Sequence, residues 1–137
     1  MIEQLFPAIK EAFHGNSDLL TYGREIFLGL TSEDDEQTLP YVNVAVIETN
    51  HEDTFGFDMS EIEVDFEVFT SSPTKYEASI IMRALDDVFR RDPDLPLTGD
   101  YSFVGSRLED NEGPFIEDGQ YNGRMTFKFW VQRKRVF

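Results

Sequence analysis

A chain of 137 residues has room for one domain of the common size, roughly 100–150 residues, with a sizeable core. Its 40% hydrophobic and 14% aromatic content excludes wholesale disorder. Twelve basic residues against 27 acidic ones leave a net charge of −15, which speaks against non-specific wrapping of nucleic acid and against attraction to anionic lipid. Cysteine is absent, so disulfides, thiolate metal sites and cysteine nucleophiles are excluded. No apolar run approaches the ~18–20 residues of a spanning helix. The start, Met1-Ile2-Glu3-Gln4-Leu5, lacks the basic region of a secretory signal. The expectation is synthesis and folding in the cytoplasm, with no membrane partner.

Residues 2–13 place Ile2, Leu5, Phe6, Ile9 and Phe13 at helical spacing, which predicts an amphipathic helix. Pro7 is tolerated without loss of a hydrogen bond only in a first turn, so the regular helix is expected to start near Gln4. His14-Gly15-Asn16 is the expected stop. Residues 24–30, with Ile26, Phe27, Leu28 and Leu30, predict a short strand. Residues 31–37 read as a polar, acidic loop. Residues 41–47 alternate and are rich in β-branched side chains, the mark of a strand. Residues 50–59 read as a second acidic loop holding Phe55 and Phe57.

The plainest pattern covers residues 61–69. Glu61, Glu63, Asp65 and Glu67 alternate with Ile62, Val64, Phe66 and Val68, so a strand sends the two sets to opposite faces. Ser72-Pro73-Thr74-Lys75 opens a second helix, with Ser72 as cap or Thr74 and Glu77 as a capping box. Tyr76, Ile80, Ile81, Ala84, Leu85 and Val88 form its expected buried stripe. Arg90 and Arg91 fall in its last turn, and Asp92-Pro93 ends it. Residues 101–108 predict a strand, residues 109–120 a third acidic loop with Phe115 and Ile116, and residues 121–131 a closing strand. In that strand Met125, Phe127, Phe129 and Val131 face one way, and Arg124, Thr126, Lys128 and Trp130 the other. Residues 132–137 form a basic tail. The fold class is therefore α+β: a single domain over residues 1–137, with a mostly antiparallel or mixed sheet and two helices packed on one face.

Catalytic chemistry finds little support. His14 and His51 stand apart, neither at metal-ligand spacing from a second histidine. Glu33-Asp34-Asp35-Glu36 lacks the spaced ligands and turn glycine of a calcium loop. The row Glu61, Glu63, Asp65 and Glu67 offers paired acids, but a row on an open sheet face stays hydrated and ionised, whereas glycosidase chemistry needs one desolvated member. No catalytic residue, metal ligand or cofactor site is assigned. Arg124 and Lys128 are candidate cross-strand partners for the acidic row. The basic tail, Arg133, Lys134 and Arg135, suits contact with a neighbouring subunit. An acidic body with one basic arm favours head-to-tail contacts, which close into rings when the rotation permits.

The element order, with Leu39-Pro40-Tyr41-Val42 leading a strand, Asp53-Thr54-Phe55 in the following loop, the strand Val64-Asp65-Phe66-Glu67-Val68-Phe69, the helix opening Ser72-Pro73-Thr74-Lys75-Tyr76-Glu77-Ala78 and the late strand Tyr121-Asn122-Gly123-Arg124-Met125-Thr126-Phe127, resembles the tail-completion or tail-terminator proteins of long-tailed bacteriophages. It is similar to the minor tail protein U group. The resemblance implies a non-enzymatic virion protein without cofactors. Such a protein forms a ring, usually of six copies, on the head-proximal end of the tail tube. The ring ends tube polymerisation, contributes to head–tail joining and lets genome DNA pass without specific binding. Its implied partners are itself, the tail tube protein and a neck or connector protein. Its implied places are the virion tail and, during assembly, the host cytoplasm. Candidate interface residues are Phe55, Phe57, Phe115, Ile116, Arg133, Lys134, Arg135 and Phe137. Candidates for an acidic face or lumen are Glu61, Glu63, Asp65 and Glu67. Alternative readings are a neck or head–tail connector component, and a soluble acidic DNA-mimic inhibitor.

Overall fold

A computed structural model describes residues 2–28, 40–54, 57–70, 74–90, 95–97, 100–117 and 119–134. The elements in chain order are α1 (Ile2–His14), a π-helical segment (Leu19–Gly23), β1 (Ile26–Leu28), β2 (Tyr41–Thr54), β3 (Phe57–Phe69), α2 (Tyr76–Phe89), β4 (Tyr101–Glu117) and β5 (Gln120–Lys134). The strands form one mixed sheet in the order β1-β2-β3-β5-β4. β1 runs parallel to β2 and every other pair is antiparallel. Both helices pack on one face, as the α+β expectation required.

Strand alternation builds the core. Ile62, Val64, Phe66 and Val68 of β3 and Met125, Phe127, Phe129 and Val131 of β5 are all buried, and their register puts Val64 opposite Phe127 and Ile62 opposite Phe129. Phe89 of α2 stacks on Phe66 at 4.8 Å between ring centroids, and Phe127 meets Phe66 edge-on at 5.6 Å. Leu5, Ile9 and Phe13 of α1 join the same cluster.

Several expectations on element boundaries are corrected. α1 runs on from Ile2 through Pro7, which lies on its exposed side, instead of starting at Gln4. The stretches read as acidic loops over 50–59 and 109–120 are mostly strand: β2 and β3 continue to a hairpin at Thr54 and Phe57, and β4 runs to Glu117 before turning into β5 at Gln120. Backbone ladder bonds hold these polar ends, and no alternation of apolar side chains is needed for that. Residues 132–134 are the end of β5 and not a tail. α2 begins at Tyr76, with Lys75 at its N-cap position and no side-chain cap hydrogen bond from Lys75. Its buried face is Ala78, Ile81, Met82, Ala84, Leu85 and Phe89; Tyr76 is exposed, and Ile80 and Val88 are only half-buried. Arg90 stands just past the last turn, bridging Asp86 at 3.3 Å. Residues 29–39, including the predicted loop over 31–37, lie outside the described residues, as do Ser72, Arg91, Asp92 and Pro93.

Three local devices position the rest. The Ser106 hydroxyl on β4 donates to the Phe89 carbonyl at 2.6 Å and lies 3.2 Å from that of Arg90, satisfying open C-terminal carbonyls of α2. The buried Thr70 hydroxyl donates to the Tyr121 carbonyl, and the Thr70 N–H donates to Asn122 Oδ1 at 3.4 Å, which ties the end of β3 to β5. Between the π-helical segment and β1, Arg24 has φ 61° and ψ −62°, and the Glu25 N–H donates to the Gly23 carbonyl at 2.8 Å. This is a γ-turn of the rare positive-φ kind, a strained conformation for a residue with a Cβ.

Candidate functional site

The sheet face turned away from the helices carries the acidic row of β3, and the register matches it with cations of β5. Glu67 stands opposite Arg124, Asp65 opposite Thr126, Glu63 opposite Lys128 and Glu61 opposite Trp130. On β4, Arg107 faces Lys128, Asp110 faces Thr126 and Glu112 faces Arg124. The pairing anticipated between the acids and Arg124 and Lys128 is formed. Arg124 donates to Asp65 Oδ2 at 2.8 Å, and the Thr126 hydroxyl donates to Asp65 Oδ1 at 2.7 Å. The Trp130 indole N–H donates to Glu61 Oε1 at 3.1 Å. Lys128 Nζ lies 3.8 Å from Glu61 and 3.6 Å from Glu109. Arg107 donates to Glu109 at 2.6 Å and its guanidinium covers the Trp130 ring at 5.6 Å.

The electrostatic consequences follow from these partners. The Arg107 fork, with Lys128 behind it, holds the Glu109 carboxyl below its ordinary range. The Asp65 carboxylate raises Arg124 further, so that guanidinium stays charged at any working pH. Asp65 is only 9% exposed, which makes it the one buried acid of the row. The face is therefore a lattice of interleaved charges with carboxylates in excess, not an uninterrupted acidic strip. Among the described residues no group of three His, Asp or Glu side chains is placed to hold a metal ion.

The candidate interface residues scatter. Phe115 and Ile116 sit together near the tip of the β4–β5 hairpin, with Ile116 62% exposed. Arg133 covers the Tyr101 ring at 5.4 Å, and its backbone stands opposite Asp58 and Tyr101, so it is folded onto its own sheet. The backbones of Phe57 and Lys134 face each other where β3 meets β5. Phe55, Arg135 and Phe137 lie outside the described residues. Sequence reasoning did not single out a second exposed apolar group: Leu20 on the π-helical segment, Leu28 on β1 and Tyr76 at the start of α2, the last 66% exposed. Tyr76 meets Tyr22 edge-on at 6.4 Å, so the π-helical segment and α2 meet at this end of the molecule.

A cleft of about 260 Å³ lies between α2 and β4, lined among others by Ser79, Arg83, Asp86, Arg90, Asn111 and Pro114. Asp86 Oδ1 is buried there without a hydrogen-bond partner, while its Oδ2 bridges Arg90.

No family model and no curated protein matches this sequence. Solved structures do match its fold. A chain of the virion of a native gene transfer agent particle superposes with a TM-score of 0.68 at 16% identity, over 97% of this chain and 96% of its own. A further solved chain, 10% identical over 97% of this chain and 93% of its own, gives 0.53. The gp17 protein of bacteriophage SPP1, 18% identical, matches 91% of this chain and 86% of its own with a TM-score of 0.49. The likeness to the gene transfer agent chain runs almost end to end in both, so the two share one fold.

Proposed function

We propose that this chain is a structural protein of a tailed virion or virion-like particle, which forms a ring on the head-proximal end of the tail tube, ends tube polymerisation and helps join tail to head. The observation that carries this reading is the near end-to-end likeness of fold to a virion chain. The order of strands and helices that resembles the tail-terminator group stands beside it. The charged sheet face fits such a channel. Its cations Arg107, Arg124 and Lys128 are each already engaged by a carboxylate of the same chain. Passing DNA would then gain no released counterions, the main source of affinity for a duplex, and would slide instead of sticking. Glu61, Glu63, Asp65 and Glu67 are the candidates for that lining. The same interleaving of cations weighs against a DNA-mimic inhibitor, which needs a phosphate-like run of unpaired acids.

Negative-stain imaging of particles that contain the chain, and of tails made without it, tests the reading. The expected result is a ring of about six copies at the upper end of the tail, with overlong or uncapped tails when it is removed. Tails of normal length left detached from heads would move the protein to the neck. Its absence from assembled particles would overturn a structural role.

A further inference from the structure

The cleft of about 260 Å³ between α2 and β4 plays no part in the reading above. One wall follows α2 from Ser79 to Arg90, and the other follows β4 from Leu108 to Pro114. The helical wall is about 16 Å long at about 1.5 Å per residue, and the strand wall about 20 Å at most. The cleft is therefore an elongated groove, and its volume lies under the roughly 300–1,000 Å³ of a small-molecule pocket. An extended chain of about five residues spans such a length. Met82 and Met125, both buried, and the half-buried Leu108 give it an apolar floor, and methionine adapts to varied shapes. Two guanidiniums, Arg83 and Arg90, and one carboxyl, Asp86, line it. Asp86 Oδ2 engages Arg90 at 3.3 Å, whereas Arg83 makes no ion pair among the described residues. Asp86 Oδ1 is buried and bonds nothing. The other acids nearby face elsewhere: Asp110 and Glu112 of β4 stand opposite Thr126 and Arg124, on the far face of the sheet, and Asp87 of α2 is exposed without lining the groove.

We infer that this groove is a docking site for a short extended segment of another protein, one that carries a carboxylate beside an apolar residue. The carboxylate pairs with Arg83, the apolar side chain lies over Met82 and Met125, and a main-chain N–H of the segment donates to Asp86 Oδ1. Charge selects this occupant. A basic segment would meet two guanidiniums, and a purely apolar one would leave both Arg83 and Asp86 Oδ1 without partners, at the cost of burying unpaired polar groups. Oδ1 is closed off as it stands and receives its donor when the Asp86 carboxyl turns about its last torsion, whose wells are broad. Only the bridge to Arg90, itself 54% exposed, resists that turn, and a bridge of this kind is weak. The net charge of −15 opposes an acidic segment at long range, but at about 0.15 M salt a Debye length of about 8 Å screens the distant acids and leaves the contact at Arg83. The inference goes beyond the ring reading and does not depend on it.

The test pans a displayed library of random heptapeptides on the full chain at about 0.15 M salt and measures the synthesised winners by fluorescence anisotropy. Winners are expected to carry Asp or Glu next to an apolar residue. They should bind Arg83→Glu and Asp86→Ala chains about 10-fold or more weakly than wild type, the loss of one good polar contact. Exchanging the acid of a winner for Lys should restore its binding to the Arg83→Glu chain. Arg83 is exposed, and circular dichroism with a melting curve checks the folding of each variant. Asn111→Trp, at an exposed position on the β4 wall, fills the groove and serves as a second blocking variant should Asp86→Ala fold poorly. Winners dominated by Lys or Arg, winners that bind the Arg83→Glu chain as well as wild type, or no winner at all overturn the inference. Winners that match a stretch of this chain overturn a foreign occupant. None of these outcomes touches the ring reading, which the imaging above decides.

Discussion

Replacing Asp65 by alanine separates formed bonds from a merely solvated row of acids. Asp65 is 9% exposed and accepts from Thr126 at 2.7 Å and from Arg124 at 2.8 Å. Thr126 is 6% exposed, so removing its acceptor strands a buried hydroxyl, which costs about 1–3 kcal/mol. The Arg124 side chain is 47% exposed and regains water, so its lost bridge adds only about 0.5–1 kcal/mol. The expected total is about 1.5–4 kcal/mol, centred near 2.5. In a chain of this size that lowers the melting temperature by roughly 10 °C. Urea unfolding of Asp65→Ala, Thr126→Val and the double variant closes the cycle, and the two single losses should exceed the double loss by about 1 kcal/mol. Strictly additive losses, or a loss below about 0.5 kcal/mol for Asp65→Ala, would refute the claim that the face is knit by these bonds.

Phe66 meets Phe89 and Phe127 with no exposure, so Phe66→Ala should cost about 3–5 kcal/mol in chemical unfolding, the range for emptying a close-packed aromatic site. Arg24→Gly should stabilise the chain by about 1 kcal/mol in a melting curve, since relief of the γ-turn strain outweighs the added freedom of the unfolded glycine. Two glutamates should shape the acid limb of a stability–pH profile in opposite senses. The Ile26 N–H, with help from His14, holds the Glu25 carboxyl below the ordinary 4.5, so its contribution is full above that pH and is lost as pH falls through the lowered value; Glu25→Gln should flatten that limb. Burial raises Glu77, so its ionised form opposes folding at neutral pH and that opposition fades on acidification; Glu77→Gln should melt higher at pH 7 and converge with wild type as pH drops.

What could be read from the amino-acid order is where apolar and charged residues alternate against a core. β3 and β5 were legible to the side chain, down to Arg124 and Lys128 facing the acidic row, because each strand has one buried face. The hairpin ends were not. Residues 50–54 and 109–113 carry charge or polarity at almost every position, and a ladder of backbone hydrogen bonds leaves no mark on residue type. Within α2 helical spacing points to Tyr76 and Val88 at the ends of the stripe, whereas Ala78 and Phe89 are the buried residues there, since spacing alone leaves a neighbour's choice open in the first and last turns. The Ser106 bond to the end of α2 joins positions 17 residues apart and has no local signal. The exposure of Leu20, Leu28 and Tyr76, each on a different element, likewise has no local signal.

β4 is an edge strand of the sheet and is built against further pairing. A 17-residue edge strand with regular pleat would offer a row of open N–H and C=O groups to any other chain, and a sheet growing through it would have no natural end. Three bulges, the acids Glu109, Asp110 and Glu112, and Pro114, which has no N–H to give, deny that route along its length. Gly113, with φ 103° and backbone atoms 3.0 Å from where a Cβ would stand, makes the last of these bends and sets Phe115 and Ile116 just beyond it. The interruptions thus stop unlimited growth along the strand edge and leave Phe115 and Ile116 exposed at its tip.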